Sequence, residues 1–267
     1  MLLQEDLAMD RLRRHPVITG VVALVLALST MWAVKLGQLG RSVGTYAEYW
    51  SQPRGETGGL LYVALGDSAA QSIGASAPGR GYVGLIAQRL RTSTGQPVEV
   101  VNLSSSGARI RDVLATQLPA LDALGREPDV ITVAVGGNDI GDYDQATFAA
   151  EARVLTEALP AGAYVADVPY FMHGRWQRDA AEAAVMLRAN AKQHGLHVVA
   201  LQNALEEQGW QAMGTQFAAD WFHPNDRGHR VWADAFWTRI GPDVDPDCPG
   251  HRTASPEFQK TGPKSCR

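Results

Sequence analysis

The sequence has few cysteines, and their placement excludes the common structural metal motifs. Only Cys248 and Cys266 are present, both within the last twenty residues. Neither belongs to a Cys-x-x-Cys or Cys/His pattern, so no structural zinc site is indicated. In an oxidising compartment the pair could form one disulfide. They could equally be two free thiols in a loose tail, and both alternatives stay open.

The sequence also lacks an excess of positive charge. It has 24 Lys and Arg against 28 Asp and Glu, for a net charge of −4. No stretch of its body clusters basic residues with aromatic ones, so nucleic acid is not an expected partner. The 45% of hydrophobic residues and 19% of charged residues are typical of a globular protein.

One long apolar run stands near the N-terminus. Residues 16–34, PVITGVVALVLALSTMWAV, carry no charge, and at about 1.5 Å per residue they nearly span a membrane core of ~30 Å. The basic stretch RLRRH before them predicts a cytoplasmic N-terminal segment over 1–15. We expect a transmembrane signal anchor over 16–34, with the rest of the chain outside. The alternative is a cleaved signal peptide and a secreted protein.

From residue 60 onward, short Val-rich runs alternate with helical patterns. The runs cover 60–65, 98–103, 130–135, 163–168 and 197–201, and the helical patterns cover 82–90, 111–118, 146–159, 178–194 and 226–240. This alternation predicts a single doubly wound α/β domain over 60–240, with a five-stranded, mainly parallel, flavodoxin-like sheet. Residues 35–59 are predicted to be a linker, and residues 241–267 a loop-like tail.

Polar residues follow the first three predicted strands and precede the last helix. The segments are GDS at 66–68, NLSSSGAR at 102–109, GGND at 136–139 and DWFHPN at 220–225. The carboxyl ends of parallel strands meet at one edge of a sheet, where such folds place their sites. We therefore expect the four segments to lie together.

These segments contain the groups that acyl transfer needs. Ser68 could act as a nucleophile, with His223 as its general base. Asp220, three residues earlier, could orient the imidazole. The backbone N–H groups of Ser68 and Gly107 and the amide of Asn138 could bind the oxyanion.

Other residues could line the substrate site. They are His173, Trp176, Trp221 and Phe222, which flank the same segments. For the aromatic residues core packing is an equally good explanation, and an exposed loop position is the simpler interpretation of His173.

In these four segments the sequence resembles the GDSL-type esterases and lipases of the SGNH hydrolase family. The matching blocks are GDS with Ser68, SSSG with Gly107, GGND with Asn138, and DWFH with Asp220 and His223. The resemblance covers 60–240 and implies a three-layer α/β/α sandwich, ester hydrolysis and no metal or organic cofactor. The sequence departs from the named motif at Ala69, where the family has leucine, which leaves the subfamily and substrate open.

The expected function is therefore hydrolysis of a carboxylic ester through an acyl-enzyme with a Ser-His-Asp triad. The ester could be an acyl lipid, an acylated glycan or a small ester. An acyltransferase on the same site and a non-catalytic ligand-binding domain remain as alternatives. The expected contacts are the ester substrate and, through the N-terminal helix, a membrane. Oligomeric state is left open.

Overall fold

The computed structural model describes residues 16–172 and 174–244. Its strands are β1 (Arg54–Gly55), β2 (Leu60–Gly66), β3 (Val98–Asn102), β4 (Val130–Ala134), β5 (Tyr164–Ala166) and β6 (His197–Val199). Its helices are α1 (Pro16–Trp50), α2 (Tyr82–Thr94), α3 (Ile110–Asp112), α4 (Leu118–Asp122), α5 (Gln145–Ala158), α6 (Gly174–Gln193), α7 (Leu201–Glu206), α8 (Ala212–Thr215) and α9 (Asp226–Val244). Short 3-10 helices cover Pro78–Arg80 and Asn138–Asp142, and a π-helical turn, Val113–Gln117, joins α3 to α4.

The strands form one sheet in the order β1-β3-β2-β4-β5-β6. Strands β2 to β6 pair in parallel, and only β1 pairs antiparallel, with β3. The parallel strands have the flavodoxin-like order, which confirms the predicted fold. The sheet has six strands rather than five, because the two-residue β1 is too short to leave a hydrophobic pattern in the sequence.

Both faces of the sheet are covered, which makes the three-layer sandwich. Side chains of a strand alternate between its two faces. Leu61, Val63 and Leu65 of β2 pack in a core with residues of α5 and α6. Tyr62 and Ala64 point the other way, into a core shared with α2 and α9. The central strands are buried on both faces for this reason.

The N-terminal helix is longer than the apolar run that predicts it. The chain divides into two compact units, residues 1–41 and residues 42–267. The segment Val17–Trp50 is long and apolar enough to cross a membrane, with a mean hydropathy of 2.3 in its most apolar window. The apolar side chains of residues 17–34 are mostly exposed.

Regular secondary structure occupies much of the segment predicted as a linker over 35–59. Helix α1 continues to Trp50, and β1 adds to the sheet. Within the unit formed by residues 42–267, Trp50 is buried in the core and the Tyr46 hydroxyl donates a hydrogen bond of 3.0 Å to the Ala75 carbonyl. These contacts order a segment whose mixed polarity resembles a linker.

The last helix also extends past its predicted end. Helix α9 continues to Val244 and so enters the segment predicted as a loop-like tail. The rest of that tail, with Cys248 and Cys266, lies outside the described residues, as does the predicted cytoplasmic segment 1–15.

Candidate active site

The turn after β2 presents Ser68 at the carboxyl edge of the sheet. Gly66 has a φ of +146°, and a Cβ atom there would lie 2.2 Å from the carbonyl oxygen of Ala134. Only glycine fits so close to the neighbouring strand. The Asp67 carboxylate then accepts a hydrogen bond of 3.0 Å from the Ala69 N–H, which tightens the turn around Ser68.

The segment before α9 brings a histidine and a carboxylate to this serine. The Oγ of Ser68 lies 2.9 Å from Nε2 of His223. On the other side of the ring, Nδ1 lies 2.6 Å from Oδ2 of Asp220. The three side chains therefore form a continuous hydrogen-bonded line, with His223 between Ser68 and Asp220.

Local hydrogen bonds hold this segment in place. The second carboxylate oxygen of Asp220 accepts the backbone N–H groups of Phe222, at 3.1 Å, and His223, at 3.0 Å. The side-chain oxygen of Asn225 accepts the N–H groups of Arg227 and Gly228 and so caps α9. The loop is thus fixed at both ends.

The hydrogen bonds of Asp220 also determine its charge. Burial alone would raise its pKa, but the hydrogen bonds from the His223 ring and from the backbone outweigh burial and lower the pKa. Asp220 is therefore ionised at neutral pH, beside the imidazole.

Two further loops meet at the same edge. Gly107, in the loop between β3 and α3, has a φ of +82°. Asn138 follows β4, and its amide donates a hydrogen bond of 3.0 Å to the carbonyl of Ala108, which ties the two loops together. Within residues 16–172 and 174–244, the backbone N–H groups of Ser68 and Gly107 have no protein acceptor.

Two carboxyl groups near this edge, the buried Asp67 and the half-buried Asp139, have raised pKa values. Burial is the main cause that raises the pKa of Asp67 to about 6, and the nearby Asp139 carboxylate adds to it. Burial likewise raises the pKa of Asp139 to about 6. Each group accepts a backbone hydrogen bond, Asp67 from the nearby Ala69 and Asp139 from Ile110 at the start of α3. The two nitrogens of the His223 ring bond to Asp220 and Ser68, so neither of these carboxyl groups is its hydrogen-bond partner.

A cavity of about 430 Å³ opens at the serine. Its wall includes Ser68, Asn138 and His223, and most of its other lining side chains are apolar. Three of the predicted lining residues belong to it, namely Trp176, Trp221 and Phe222. His173 lies outside the described residues.

Sequence reasoning missed much of this wall. Lining residues that were not predicted include Ile140, Met172, Met213 and Phe217. They come from separate segments and share no pattern along the chain, so no sequence signal marks them. Gly107 is exposed and is not part of the wall. In the part of the chain that the structure describes, no group of three or more His, Cys, Asp or Glu side chains could hold a metal ion.

Comparisons with solved structures agree with this architecture. One similar structure is LAE5, an alpha/beta hydrolase enzyme from the metagenome of Lake Arreo, Spain, with 25% identity, a TM-score of 0.56, and coverage of 68% of this chain and 95% of that chain. Another is Axe2, an acetylxylan esterase from Geobacillus stearothermophilus, with 24% identity, a TM-score of 0.54, and coverage of 68% and 94%. At this identity Axe2 supports the fold alone.

The family comparison is more direct. No curated protein matches the sequence significantly. The GDSL-like Lipase/Acylhydrolase family matches residues 64–231, more than half of the chain. That range contains the Ser68 turn, both neighbouring loops and the segment with His223. The chain therefore belongs to the GDSL-like lipase/acylhydrolase family and is a hydrolase of carboxylic esters.

Proposed function

We propose that this esterase works through an acyl-enzyme on Ser68, with His223 as general base. The observation that carries the proposal is the hydrogen-bonded line of Ser68, His223 and Asp220 at the wall of a cavity. The Ser68 Oγ forms a bond to the ester carbonyl carbon while its proton passes to Nε2 of His223. The bond to the alcohol oxygen then breaks, and the alcohol leaves with that proton.

The second half of the reaction repeats these steps with water. His223 takes a proton from water, whose oxygen bonds to the acyl carbon. The bond to Ser68 breaks, and its Oγ regains the proton. The ionised Asp220 favours the tautomer with hydrogen on Nδ1, and it stabilises the imidazolium that forms in each half. The lowered pKa of Asp220 supports this role.

The oxyanion of each tetrahedral intermediate needs hydrogen-bond donors. We assign this role to the N–H groups of Ser68 and Gly107 and to the amide of Asn138. The two N–H groups have no acceptor within the described chain and are available to a ligand. The Asn138 amide has a second hydrogen besides the one donated to Ala108. One such donor typically contributes about 3–4 kcal/mol to the transition state.

The cavity favours an ester whose acyl chain is apolar and longer than acetyl. Its volume of about 430 Å³ lies within the usual range for ligand sites. Its described wall has no Lys or Arg, so it offers no countercharge to an anionic group. It also has few polar side chains with which to bind a sugar. Among the esters left open by the sequence, these features favour a lipid-like ester.

The location of the enzyme follows from α1. We infer an uncleaved signal anchor, with the catalytic domain outside the cytoplasm. The exposed apolar surface of residues 17–34 and the preceding basic stretch support this topology. Trp50 is packed in the domain core, so a protein shortened to remove α1 would also lose part of that core.

The test uses the full chain in a non-ionic detergent and p-nitrophenyl esters of acetic, butyric and octanoic acid. We expect kcat/KM to rise from acetyl to the longer chains, because each buried CH₂ contributes about 0.8 kcal/mol. Ser68→Ala should reduce kcat at least about 1,000-fold. Ser51→Ala, which removes an exposed hydroxyl outside the cavity, is the matched control.

Each part of the proposal can fail separately. Full activity of Ser68→Ala would contradict the nucleophile, and a preference for acetyl esters would contradict the long acyl chain. A folded parent without turnover on any ester would contradict the general esterase function.

A further inference from the structure

A buried amide side chain joins the serine turn to the loop that carries Gly107. Gln71 lies three residues after Ser68, and only 6% of it is exposed. Its backbone N–H donates a hydrogen bond of 3.2 Å to the Asp67 carbonyl, so Gln71 is part of the same closed turn. A buried amide must have hydrogen-bond partners, and the partners of this one all belong to another loop.

Both ends of the Gln71 amide bond to residues 104–106. Its Nε2 donates to the Ser104 carbonyl at 2.9 Å. Its Oε1 accepts the Ser106 backbone N–H at 3.0 Å and the Ser106 hydroxyl at 2.7 Å. These three bonds fix the loop immediately before Gly107, since Ser106 and Gly107 share a peptide group.

The other side of Gly107 is held independently. The Ala108 N–H donates to the Ser105 carbonyl at 3.0 Å, and the Ala108 carbonyl accepts the Asn138 amide. Gly107 therefore lies between two anchored residues, in a positive-φ conformation, with its own N–H free of any protein acceptor in the described chain. The direction of that N–H depends on both anchors, and Gln71 provides the first.

A second buried amide keeps the two segments in contact without Gln71. The Asn102 Nδ2 donates to the Ala70 carbonyl at 2.8 Å, and its Oδ1 accepts the Ser104 N–H at 3.1 Å. The Ser105 N–H also donates to the Gly66 carbonyl at 3.2 Å. Loss of the Gln71 amide should therefore loosen residues 106–107 while the loop stays attached.

We propose that Gln71 is a positioning residue, which holds the Gly107 N–H at the distance from Ser68 that the oxyanion requires. The proposal rests on the proposed function, because it takes the Gly107 N–H as an oxyanion donor. The Gln71 side chain bonds to Ser104 and Ser106, and Gln71 is not one of the residues that line the cavity. It acts through the loop.

The test compares Gln71→Met with the parent on p-nitrophenyl butyrate, using the full chain in detergent. Methionine has a similar length and removes all three hydrogen bonds. We expect kcat to fall about 10- to 100-fold, less than the 100- to 1,000-fold typical of a deleted oxyanion donor. KM should change less than twofold. The shape of the pH–rate profile should stay the same, because His223 and Asp220 are unaltered.

Tyr62→Phe is the matched control. It removes another buried hydrogen bond, the 2.8 Å bond between the hydroxyls of Tyr62 on β2 and Thr132 on β4. Neither residue lines the cavity. Both variants should lower Tm, and only Gln71→Met should lower kcat of the folded protein. The rate of Ser68 labelling by a fluorophosphonate should fall with kcat, since the phosphoryl oxygen uses the same donors.

The results separate the inference from the function on which it rests. An active parent with unchanged kcat in folded Gln71→Met, or with a rise in KM alone, would overturn the positioning role and leave the esterase intact. A parent that neither turns over esters nor reacts with the fluorophosphonate would overturn the proposed function, and the inference with it. If Gln71→Met does not fold, Ser106→Ala removes only the hydroxyl bond, and a kcat equal to that of the parent would overturn the role.

Discussion

Two histidines six residues apart lie in opposite environments in this molecule, and we assign them opposite roles. His223 is partly exposed at the cavity wall, between the serine hydroxyl and the Asp220 carboxylate. His229, on the first turns of α9, is fully buried. Its Nε2 lies 3.1 Å from the Ile73 carbonyl, and its Nδ1 accepts the Tyr82 N–H at 3.4 Å.

Their environments, rather than their residue type, distinguish the proposed general base from a structural histidine. The pKa of His229 is lowered to about 4, mainly by burial. The Ile73 hydrogen bond and the Asp226 carboxylate raise this pKa by less than burial lowers it. That ring stays neutral and connects α9 to the turn after Ser68 and to α2. His223 has a carboxylate on one nitrogen and a hydroxyl on the other, which is the arrangement that the proposed proton transfer requires.

The same substitution at His223 and at His229 tests this difference most strongly. His223→Leu should reduce kcat at least about 10,000-fold, because it removes the proton acceptor. Its Tm should stay close to that of the parent, since the side chain lies at the cavity wall. Steady-state turnover of p-nitrophenyl butyrate and a thermal melt provide the two measurements. Substantial turnover by His223→Leu would contradict its role as base.

A smaller loss is expected when the partner of His223 is changed. Asp220→Asn keeps the shape but removes the charge that stabilises the imidazolium, and it no longer favours hydrogen on Nδ1. We expect kcat to fall about 100- to 10,000-fold. The matched variant Asp234→Asn changes a mostly exposed carboxylate on α9 and should leave kcat within twofold. Equal kcat values for the two variants would contradict the assignment of Asp220.

The substitution His229→Leu should have the reverse effect. It leaves the Ile73 carbonyl and the Tyr82 N–H unpaired in the core, which typically costs about 1–3 kcal/mol of unfolding free energy. The Tm should fall by several degrees, with kcat per folded molecule within about threefold. Chemical denaturation and active-site titration measure these effects. A large loss of kcat in a stable His229→Leu protein would mean that this histidine also takes part in the chemistry.

The smallest expected effect is the pH dependence of the stability difference between the parent and His229→Leu. The pKa of His229 is about 4 in the folded protein and about 6.5 when unfolded. The contribution of the neutral His229 ring to the free energy of unfolding is therefore complete above pH 6.5 and is lost as the pH falls from 6.5 to 4. The stability gap between parent and His229→Leu should narrow over this window, by up to about 3 kcal/mol.

The test compares the stability of the parent with that of His229→Leu because other titratable groups change the stability in the opposite direction with pH. Asp67 and Asp139 have pKa values of about 6 in the fold, above the ordinary value of 3.8. Their contribution to the free energy of unfolding is complete below pH 3.8 and is lost as the pH rises through 6. It is present in both proteins and cancels. A gap that stays constant from pH 7.5 to pH 4.5 would contradict the neutral, buried state of His229.

The parts of the site predicted from the sequence are those with short-range signals. Ser68 follows a strand and a glycine, and Asp220 lies three residues before His223, so local spacing is enough to pair them. The Val-rich runs predicted the five parallel strands for a similar reason, since a strand buried on both faces must be apolar throughout. The start of the last helical pattern, at residue 226, was equally local, and α9 begins there.

The missed features depend on residues far apart in the chain. Strand β1 pairs with residues 99 and 100, and α1 extends to Trp50, which the domain core buries. The cavity wall combines side chains from residue 67 to residue 232. Neither β1 nor these wall residues produce a periodic pattern, because their partners lie on other elements.

The type of chemistry was predictable from local sequence, through the serine, the histidine with its nearby aspartate, and the strand pattern that brings strand ends to one edge. How those groups are supported depends on the tertiary structure. Gln71 bonds across 35 residues to Ser106, and His229 is kept neutral by a core built from several elements. Burial and long-range hydrogen bonds are properties of the folded chain, so they could not be predicted from local spacing.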